Sequence, residues 1–318
     1  MATTYQPGID ALPVGISAST AQVAPDAPLD MFMAAGALNQ RLFIIPSLSL
    51  VVLRFGTGGE WSNNEFLKRL LNGNKPIVPA VQYQDLWWVG AVENGWGMSI
   101  TQHGETLVGA LYIYDAAGNP RWYVMPGGRW NAEFSEYTGD LYQPTGSPFS
   151  NYDAARFAPG AAAGTATLTF RDGNAATLRY VIGGISGTKS IKRQSFADGD
   201  SNANLTDLWW GGVSQNGWGL SITQQGSQLF GVWYTYDDLG KPTWFVMPGG
   251  VFSGDQFTGA LYRTTGSPWL GNAYDQARFA VTNAGSMTLT FDVARNAATM
   301  QYSANGVTGS KQIVRQPY

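Results

Sequence analysis

Few side chains in this chain of 318 residues could carry acid–base or nucleophilic chemistry. There is one histidine, His103, and there is no cysteine, which excludes a thiol nucleophile and a thiolate metal site. Ser186 and Lys189 have the S-x-x-K spacing that pairs a serine nucleophile with a lysine. That chemistry requires the two groups one helical turn apart at a helix start, whereas these lie among glycines in a strand-like stretch. We therefore predict that the pair is not catalytic.

The chain contains a long internal repeat. The segment Asp85 to Gly128 returns as Asp207 to Gly250, and the tryptophans of the N-G-W-G phrase give the offset, 218 − 96 = 122. The similarity continues to the end of the chain, and each copy of about 110 residues has the size of an ordinary domain. We predict four parts: a first segment at 1–81, a β-domain at 82–196, a polar linker at 197–206 and a second β-domain at 207–318.

The repeat argues against catalysis by either copy. His103 is replaced by Gln225 in the second copy, and Glu93 is replaced by Gln215. Groups that could transfer a proton are therefore not shared. Carboxylates are also too scattered for a calcium site. We predict no catalytic residue, no metal and no cofactor.

The copies share their aromatic rings instead. A tryptophan doublet begins each copy, and successive residues of a strand point to opposite faces, so one indole of each doublet should be exposed or line a cavity. Such rings bind sugar faces, polymer chains or membrane interfaces, although β-domains also bury tryptophan in their cores. The predicted ligand-binding residues are Trp87, Trp88, Trp96, Tyr112, Tyr114 and Trp122 in the first copy, and Trp209, Trp210, Trp218, Tyr234, Tyr236 and Trp244 in the second.

Short strands must position these rings. Turn signals such as Asn216-Gly217 and Asn305-Gly306 separate the apolar segments, and short strands at this spacing indicate a sandwich or barrel. We predict a mainly β protein with two tandem antiparallel barrels or sandwiches of about eight strands each, and the sequential hairpins favour the barrel. In the second copy the predicted strands are Leu208–Gly211, Trp218–Gln225, Gln228–Tyr236, Pro242–Met247, Gln256–Thr264, Ser286–Asp292, Ala298–Tyr302 and Gly309–Gln316.

Residues 1–81 have a different pattern. Three short apolar runs within Phe32–Gly56 predict an antiparallel three-stranded meander. Four apolar residues within 66–71 form one face of a helix, for which Ser62 or Asn63 is the expected N-cap. Three strands and one helix are too few to bury a core of their own. We therefore predict a partial α+β segment that ends a larger domain.

This first segment resembles a known family. The run Gly36 to Gln40, Arg41 to Pro46 and Leu50 to Arg54, within residues 30–73, resembles the C-terminal end of the serine β-lactamase-like hydrolases, which include class C β-lactamases, DD-peptidases and related esterases. The resemblance implies the last sheet strands and the C-terminal helix of that fold. The family's S-x-x-K and Y-x-N motifs do not precede Phe32, and Ala34 replaces the basic residue of its third motif. The resemblance thus implies a truncated hydrolase domain whose catalytic part is missing.

Residues 85–318 also resemble a duplicated, uncharacterised β module that is appended to secreted bacterial hydrolases, which implies no established activity. Charged residues make up only 13% of the chain, about half the usual share, and this composition favours an extracellular or periplasmic location. The expected signal peptide is not on this sequence. The chain lacks a Lys/Arg cluster and a run of 18 apolar residues, so neither nucleic-acid binding nor a transmembrane segment is predicted.

These observations predict a non-catalytic, aromatic-rich binding or adhesion module from the C-terminal part of an exported serine hydrolase. The expected partner is a polysaccharide, another polymer or a cell surface. Two alternatives stay open. The chain could belong to a serine hydrolase whose catalytic part lies elsewhere, or it could be a structural surface or fibre protein, in which case it would self-associate.

Overall fold

The structure is a computed structural model. It describes residues 24, 26–28, 30–37, 40–55, 62–71, 79, 81–131, 133–199 and 204–317. The chain divides into two compact units, Met1–Ile77 and Val78–Tyr318. Most of the described residues with regular structure are in antiparallel strands.

The first unit is the short α+β segment that the sequence predicted. Its described residues form three antiparallel strands and one α-helix, β1 (Phe32–Ala35), β2 (Arg41–Ile45), β3 (Leu50–Arg54) and α1 (Asn63–Leu71). The Ser62 hydroxyl accepts the backbone N–H of Glu65 at 3.2 Å, so Ser62 is the N-cap of α1. Phe43 and Leu67 are buried where the helix meets the sheet. None of the described helices has the length and apolar character needed to cross a membrane.

The first copy folds into a closed barrel. Its strands are β4 (Asp85–Trp88), β5 (Gly97–His103), β6 (Thr106–Tyr114), β7 (Pro120–Met125), β8 (Arg129–Trp130), β9 (Glu136–Tyr142), β10 (Ala162–Phe170), β11 (Ala175–Ile182) and β12 (Ile185–Arg193). Among the described residues 81–199, eight of these strands form an antiparallel ring. The ring closes because β12 pairs with β4 and β9 pairs with both β7 and β10. The short β8 pairs with β9 outside the ring.

The second copy repeats this ring. Its strands are β13 (Asp207–Trp210), β14 (Gly219–Gln225), β15 (Gln228–Tyr236), β16 (Pro242–Met247), β17 (Val251–Ser253), β18 (Gln256–Thr265), β19 (Ala280–Asp292), β20 (Ala297–Ala304) and β21 (Val307–Arg315). Within the described residues 204–317, eight strands again close the ring through the pairs β13–β21 and β16–β18. The β17 strand pairs with β18 outside it. The predicted tandem of eight-stranded antiparallel domains is confirmed, and the domains are barrels rather than sandwiches.

Strand alternation divides each tryptophan doublet between the two faces, as predicted. Trp87 and Trp209 lie inside their barrels and are 1% exposed. Trp88 and Trp210 point out of the barrels and are partly exposed. Each barrel interior is filled by apolar side chains, as expected for a small barrel, and the interior position held by Trp233 in the second barrel is held by Leu111 in the first.

Candidate functional site

The two barrels pack against each other through equivalent faces, which we call the junction. The Tyr112 and Tyr234 rings meet there with centroids 6.5 Å apart. Trp122 of the first barrel contacts Tyr234 at 5.7 Å, and Trp244 of the second contacts Tyr112 at 5.6 Å. Because each contact recurs with the roles of the copies exchanged, the junction has an approximate twofold relation, like the isologous interface of a dimer.

Each barrel also receives a loop from the other. Phe149 leaves the first copy and packs in the second barrel, with its ring 5.0 Å from that of Trp233. Trp269 leaves the second copy and packs in the first barrel, 4.3 Å from the ring of Tyr180. The two loops are equivalent, since Thr145-Gly-Ser-Pro and Thr265-Gly-Ser-Pro precede them. The barrels therefore complete each other's cores.

The glycines of the N-G-W-G phrases allow the close approach of the barrels. Gly95 and Gly217 have φ values of +110° and +105°, which side-chain-bearing residues rarely adopt. A Cβ atom on Gly217 would overlap the ring of Phe157 in the first barrel, and one on Gly95 would overlap the ring of Phe279 in the second. The phrase therefore serves the junction as well as the turn that the sequence predicted.

Two clefts open at equivalent places of the junction in the described part of the second unit, and both copies contribute to each. We name them after the outward tryptophan that lines them. The Trp210 cleft has a volume of about 320 Å³ and the Trp88 cleft about 350 Å³, at the lower end of the range for small-molecule sites. The Trp210 cleft is lined by Trp122, Pro144, Phe157, Trp210, Trp218 and Tyr234, among others. The Trp88 cleft is lined by Trp88, Trp96, Tyr112, Trp244, Thr264 and Phe279, among others.

Nine of the twelve aromatic residues that were predicted to bind a ligand line one of the two clefts. Five of them line the Trp210 cleft, namely Trp122, Trp209, Trp210, Trp218 and Tyr234. Four line the Trp88 cleft, namely Trp88, Trp96, Tyr112 and Trp244. The other three, Trp87, Tyr114 and Tyr236, line neither cleft. Their role in ligand binding stays a prediction.

These three have visible structural partners. The Trp87 indole N–H donates to the carbonyl oxygen of Tyr83 at 2.9 Å inside the first barrel. The Tyr114 hydroxyl donates to the carbonyl oxygen of Gly95 at 2.6 Å, and the Tyr236 hydroxyl donates to that of Gly217. The two tyrosines thus fix the N-G-W-G turns against which the other barrel packs.

The loop residues Phe157 and Phe279, which complete the clefts, were not predicted from the sequence. Phe157 and Phe279 follow short turns and have no strand periodicity around them. Both belong to an Ala-Arg-Phe phrase that the copies share. That phrase was a usable signal, because it retains an aromatic ring at equivalent positions of both copies.

The clefts are electrically neutral. Among the described residues that line them, none carries a formal charge. Burial raises the pKa of Tyr234 to about 12 and raises that of Tyr112 well above its usual value, so both phenols are protonated at neutral pH. A neutral ligand would enter without leaving an unpaired charge in an apolar place.

Indole N–H groups at the clefts are left without acceptors. No described residue offers a hydrogen-bond partner to the buried Nε1 atoms of Trp210 and Trp218 in the Trp210 cleft, or to that of Trp244 in the Trp88 cleft. An unsatisfied buried donor costs about 1–3 kcal/mol. The Nε1 atoms of Trp233 and Trp269, which line neither cleft, are likewise without a partner among the described residues, so these donors do not by themselves mark a ligand site.

The indole N–H of Trp218 lacks an acceptor because of one sequence difference between the copies. In the first copy, the Trp96 indole N–H donates to the Glu93 carboxylate at 3.0 Å, and Lys189 pairs with the same group. In the second copy the residue equivalent to Glu93 is the neutral Gln215, whose side-chain oxygen accepts a hydrogen bond from Lys311 at 3.1 Å. Trp218 therefore keeps a free donor where Trp96 has none.

The side chains considered for catalysis from the sequence, His103, Ser186 and Lys189, lie in an ion pair or on a strand. His103 Nε2 lies 3.2 Å from the Asp207 carboxylate, to which Arg315 donates at 2.8 Å. Ser186 and Lys189 lie on β12, where residues three apart point to opposite faces. No group of His, Asp and Glu side chains suited to a metal occurs in the described ranges.

No family model, no curated protein and no solved structure matches this chain. The argument for a function therefore depends on the geometry of the clefts. The resemblance of residues 30–73 to serine hydrolases therefore stays a prediction.

Proposed function

We propose that the twin barrels form a non-catalytic binding module for a neutral polymer, glycan or cell-surface chain, and that the ligand occupies the Trp88 and Trp210 clefts. The observation that carries this proposal is the pair of equivalent, uncharged, aromatic clefts at the junction. On the resemblance of residues 30–73, we further propose that the module belongs to an exported serine hydrolase.

The outward indoles Trp88 and Trp210 are the expected contact residues. Both are partly exposed, whereas their neighbours Trp87 and Trp209 fill the barrel interiors. An indole presents a flat apolar face and a single N–H donor, which suits the face of a ring in an uncharged chain. The remaining cleft rings are buried at the junction and would hold the contact surface in place.

A pair of clefts on one chain suits a polymeric ligand. Occupation of one cleft raises the effective concentration of the same polymer at the other, provided that the ligand can reach both. Overall affinity can then exceed the affinity of each cleft without any new contact. The duplication would thus strengthen attachment to a repetitive surface.

The test is retention of the chain on insoluble polysaccharides and polyesters. Trp88→Ala and Trp210→Ala should each weaken retention, because each removes one contact ring, and the double variant should lose it. Trp130→Ala is the control, since Trp130 is also a partly exposed indole but lies on β8 and lines neither cleft. Failure of the chain to bind any surface, or unchanged binding by the double variant, would refute the proposal.

The hydrolase alternative has a separate assay. Incubation of this chain with nitrocefin and p-nitrophenyl esters should give no turnover, since Ser186 and Lys189 lie on a strand and Lys189 is paired with Glu93 at 2.8 Å. Turnover that survives Ser186→Ala would place the chemistry on another residue of this chain.

A further inference from the structure

The two clefts share polar side chains as well as aromatic rings. Gln316 and Tyr142 line the Trp210 cleft, and their counterparts Gln194 and Tyr262 line the Trp88 cleft. All four side chains are partly exposed, and none of them makes a hydrogen bond to a described residue. Each cleft therefore offers a carboxamide and a phenol hydroxyl that a ligand can reach.

The strand register places the two glutamines beside the outward tryptophans. Trp210 pairs with Val314 of β21, so Gln316 lies two residues further along the chain and on the same outer face. Its backbone N–H donates to β13 at 2.9 Å, which fixes this position. The equivalent register in the first copy places Gln194 beside Trp88. Diagonal neighbours of this kind are about 7–8 Å apart, within reach of a long side chain.

The two tyrosines reach the same clefts from the opposite barrel. Tyr142 lies on β9 of the first barrel, whereas Trp210 belongs to the second. In the Trp88 cleft the barrels exchange these roles, because Tyr262 lies on β18 of the second barrel. A ligand in either cleft thus has hydrogen-bonding groups from both barrels beside it.

The chemistry of these groups suits a ligand with hydroxyl groups. A carboxamide has an acceptor oxygen and two N–H donors, and a phenol or a sugar hydroxyl both donates and accepts. A few polar groups among aromatic rings are the usual means of orienting a ligand in a pocket. Chains without donors, such as polyesters, suit the clefts less well, because the carboxamide oxygen would lose its water without gaining a partner.

We propose that each cleft binds one sugar ring of an uncharged polysaccharide, with the ring against the outward indole and its hydroxyl groups bonded to the glutamine and the tyrosine. In the Trp210 cleft these two residues are Gln316 and Tyr142. This inference rests on the proposed function, because it names the class of the neutral polymer. It also names the side chains that select this class.

The experiment measures retention of the full chain on cellulose, chitin and starch granules, which are uncharged, and on polyester beads. At least one of the polysaccharides should retain the chain more strongly than the beads do. Gln194→Met with Gln316→Met removes both carboxamides at nearly constant side-chain length, and Tyr142→Phe with Tyr262→Phe removes both hydroxyls. Each double variant should bind the retained polysaccharide at least about fivefold more weakly, because each cleft loses one hydrogen bond to the ligand.

Two controls separate ligand contact from a structural role. Gln301→Met removes an exposed carboxamide of β20, outside the clefts, and should bind like the unmodified chain. The four groups removed in the double variants make no hydrogen bond to a described residue. Both double variants should therefore keep the urea midpoint of the unmodified chain.

The outcomes separate the inference from the proposed function. Unchanged polysaccharide binding by both double variants would overturn the inference. Retention on polyester beads that Trp88→Ala with Trp210→Ala abolishes, with no retention on any polysaccharide, would overturn the inference and support the proposed function. Absence of retention on every surface would overturn both.

Discussion

Each barrel receives one aromatic ring from a loop of the other barrel, Phe149 in the second and Trp269 in the first, and we call these two rings plugs. In the second barrel the large Trp233 faces the smaller Phe149. In the first barrel the equivalent interior position is Leu111, and the incoming plug is the larger Trp269. We predict that Leu111→Trp would force a second indole into the space that Trp269 fills.

The magnitude follows from packing. Leu111 is fully buried and Trp269 is 1% exposed, so neither can move aside into solvent. Overpacking of this kind lowers the free energy of unfolding by about 2 kcal/mol. Trp269→Phe alone leaves unfilled space and should cost about 1–2 kcal/mol. Together the two changes recreate the Trp–Phe pair of the second barrel, so they should offset each other by at least about 1 kcal/mol.

The assay is urea denaturation of the four proteins of this double-mutant cycle, followed by far-UV circular dichroism because the changes alter tryptophan fluorescence. The control combines Leu111→Trp with Trp130→Phe, which lies on β8 and should be additive. Additivity of Leu111→Trp and Trp269→Phe within about 0.5 kcal/mol would show that the two positions do not share one space, and the reasoning on exchanged plugs would then be wrong.

Three further predictions concern the junction and its surroundings. Gly240 and Gly306 have φ values of +77° and +80°, but a Cβ on Gly240 would lie 2.8 Å from a backbone oxygen of the other barrel, whereas the surroundings of Gly306 are open. Gly240→Ala should therefore lower the urea midpoint more than Gly306→Ala. Gln215→Glu should raise the free energy of unfolding by about 1 kcal/mol, because it pairs Lys311, whose pKa is lowered by burial. Burial raises the pKa of Tyr234 from 10.0 to about 12. The unfolded chain therefore releases this proton at a lower pH than the folded chain does. Tyr234 should contribute about 2–3 kcal/mol to the free energy of unfolding below pH 10, and this contribution should be lost as the pH rises to about 12. The free energy of unfolding should therefore fall less over this range in Tyr234→Phe.

Each of these predictions has a contrary result. Equal urea midpoints for the two glycine variants would mean that the barrels do not approach closely at Gly240. A loss of stability in Gln215→Glu would mean that Lys311 does not gain a partner. An unchanged pH profile in Tyr234→Phe would place the titrating groups elsewhere.

The strands were predictable because their signals are local. All eight predicted strands of the second copy occur, since period-two alternation and Asn-Gly or Gly-Ser turns are properties of neighbouring residues. Two features were missed. The three-residue β17 is too short to show a period, and β19 begins at Ala280 rather than at Ser286. Residues Ala280–Asn283 form a strand because they pair with Tyr262–Thr265, and this pairing is not visible in the local sequence.

The candidate site was predictable only in part. The division of each tryptophan doublet between inside and outside follows from strand geometry, but the structure was needed to show that Trp88 and Trp210 are the outward members. The junction was not predictable, because the exchange of Phe149 and Trp269 between barrels depends on contacts between distant parts of the chain. Tyr114 lies on the same face of β6 as the cleft residue Tyr112, but its hydroxyl donates to the N-G-W-G turn of its own barrel and it lines neither cleft.

The most direct measurement is the two-dimensional ¹H–¹⁵N nuclear magnetic resonance spectrum of the indole groups of the 12 tryptophans during titration with a polymer that the chain retains. If the clefts bind the ligand, the cross-peaks of the contact residues Trp88 and Trp210 should shift, while those of the barrel-interior Trp87 and Trp233 should stay in place. Saturable shifts confined to Trp130 or to other tryptophans outside the clefts would contradict the assignment of the binding site to the junction.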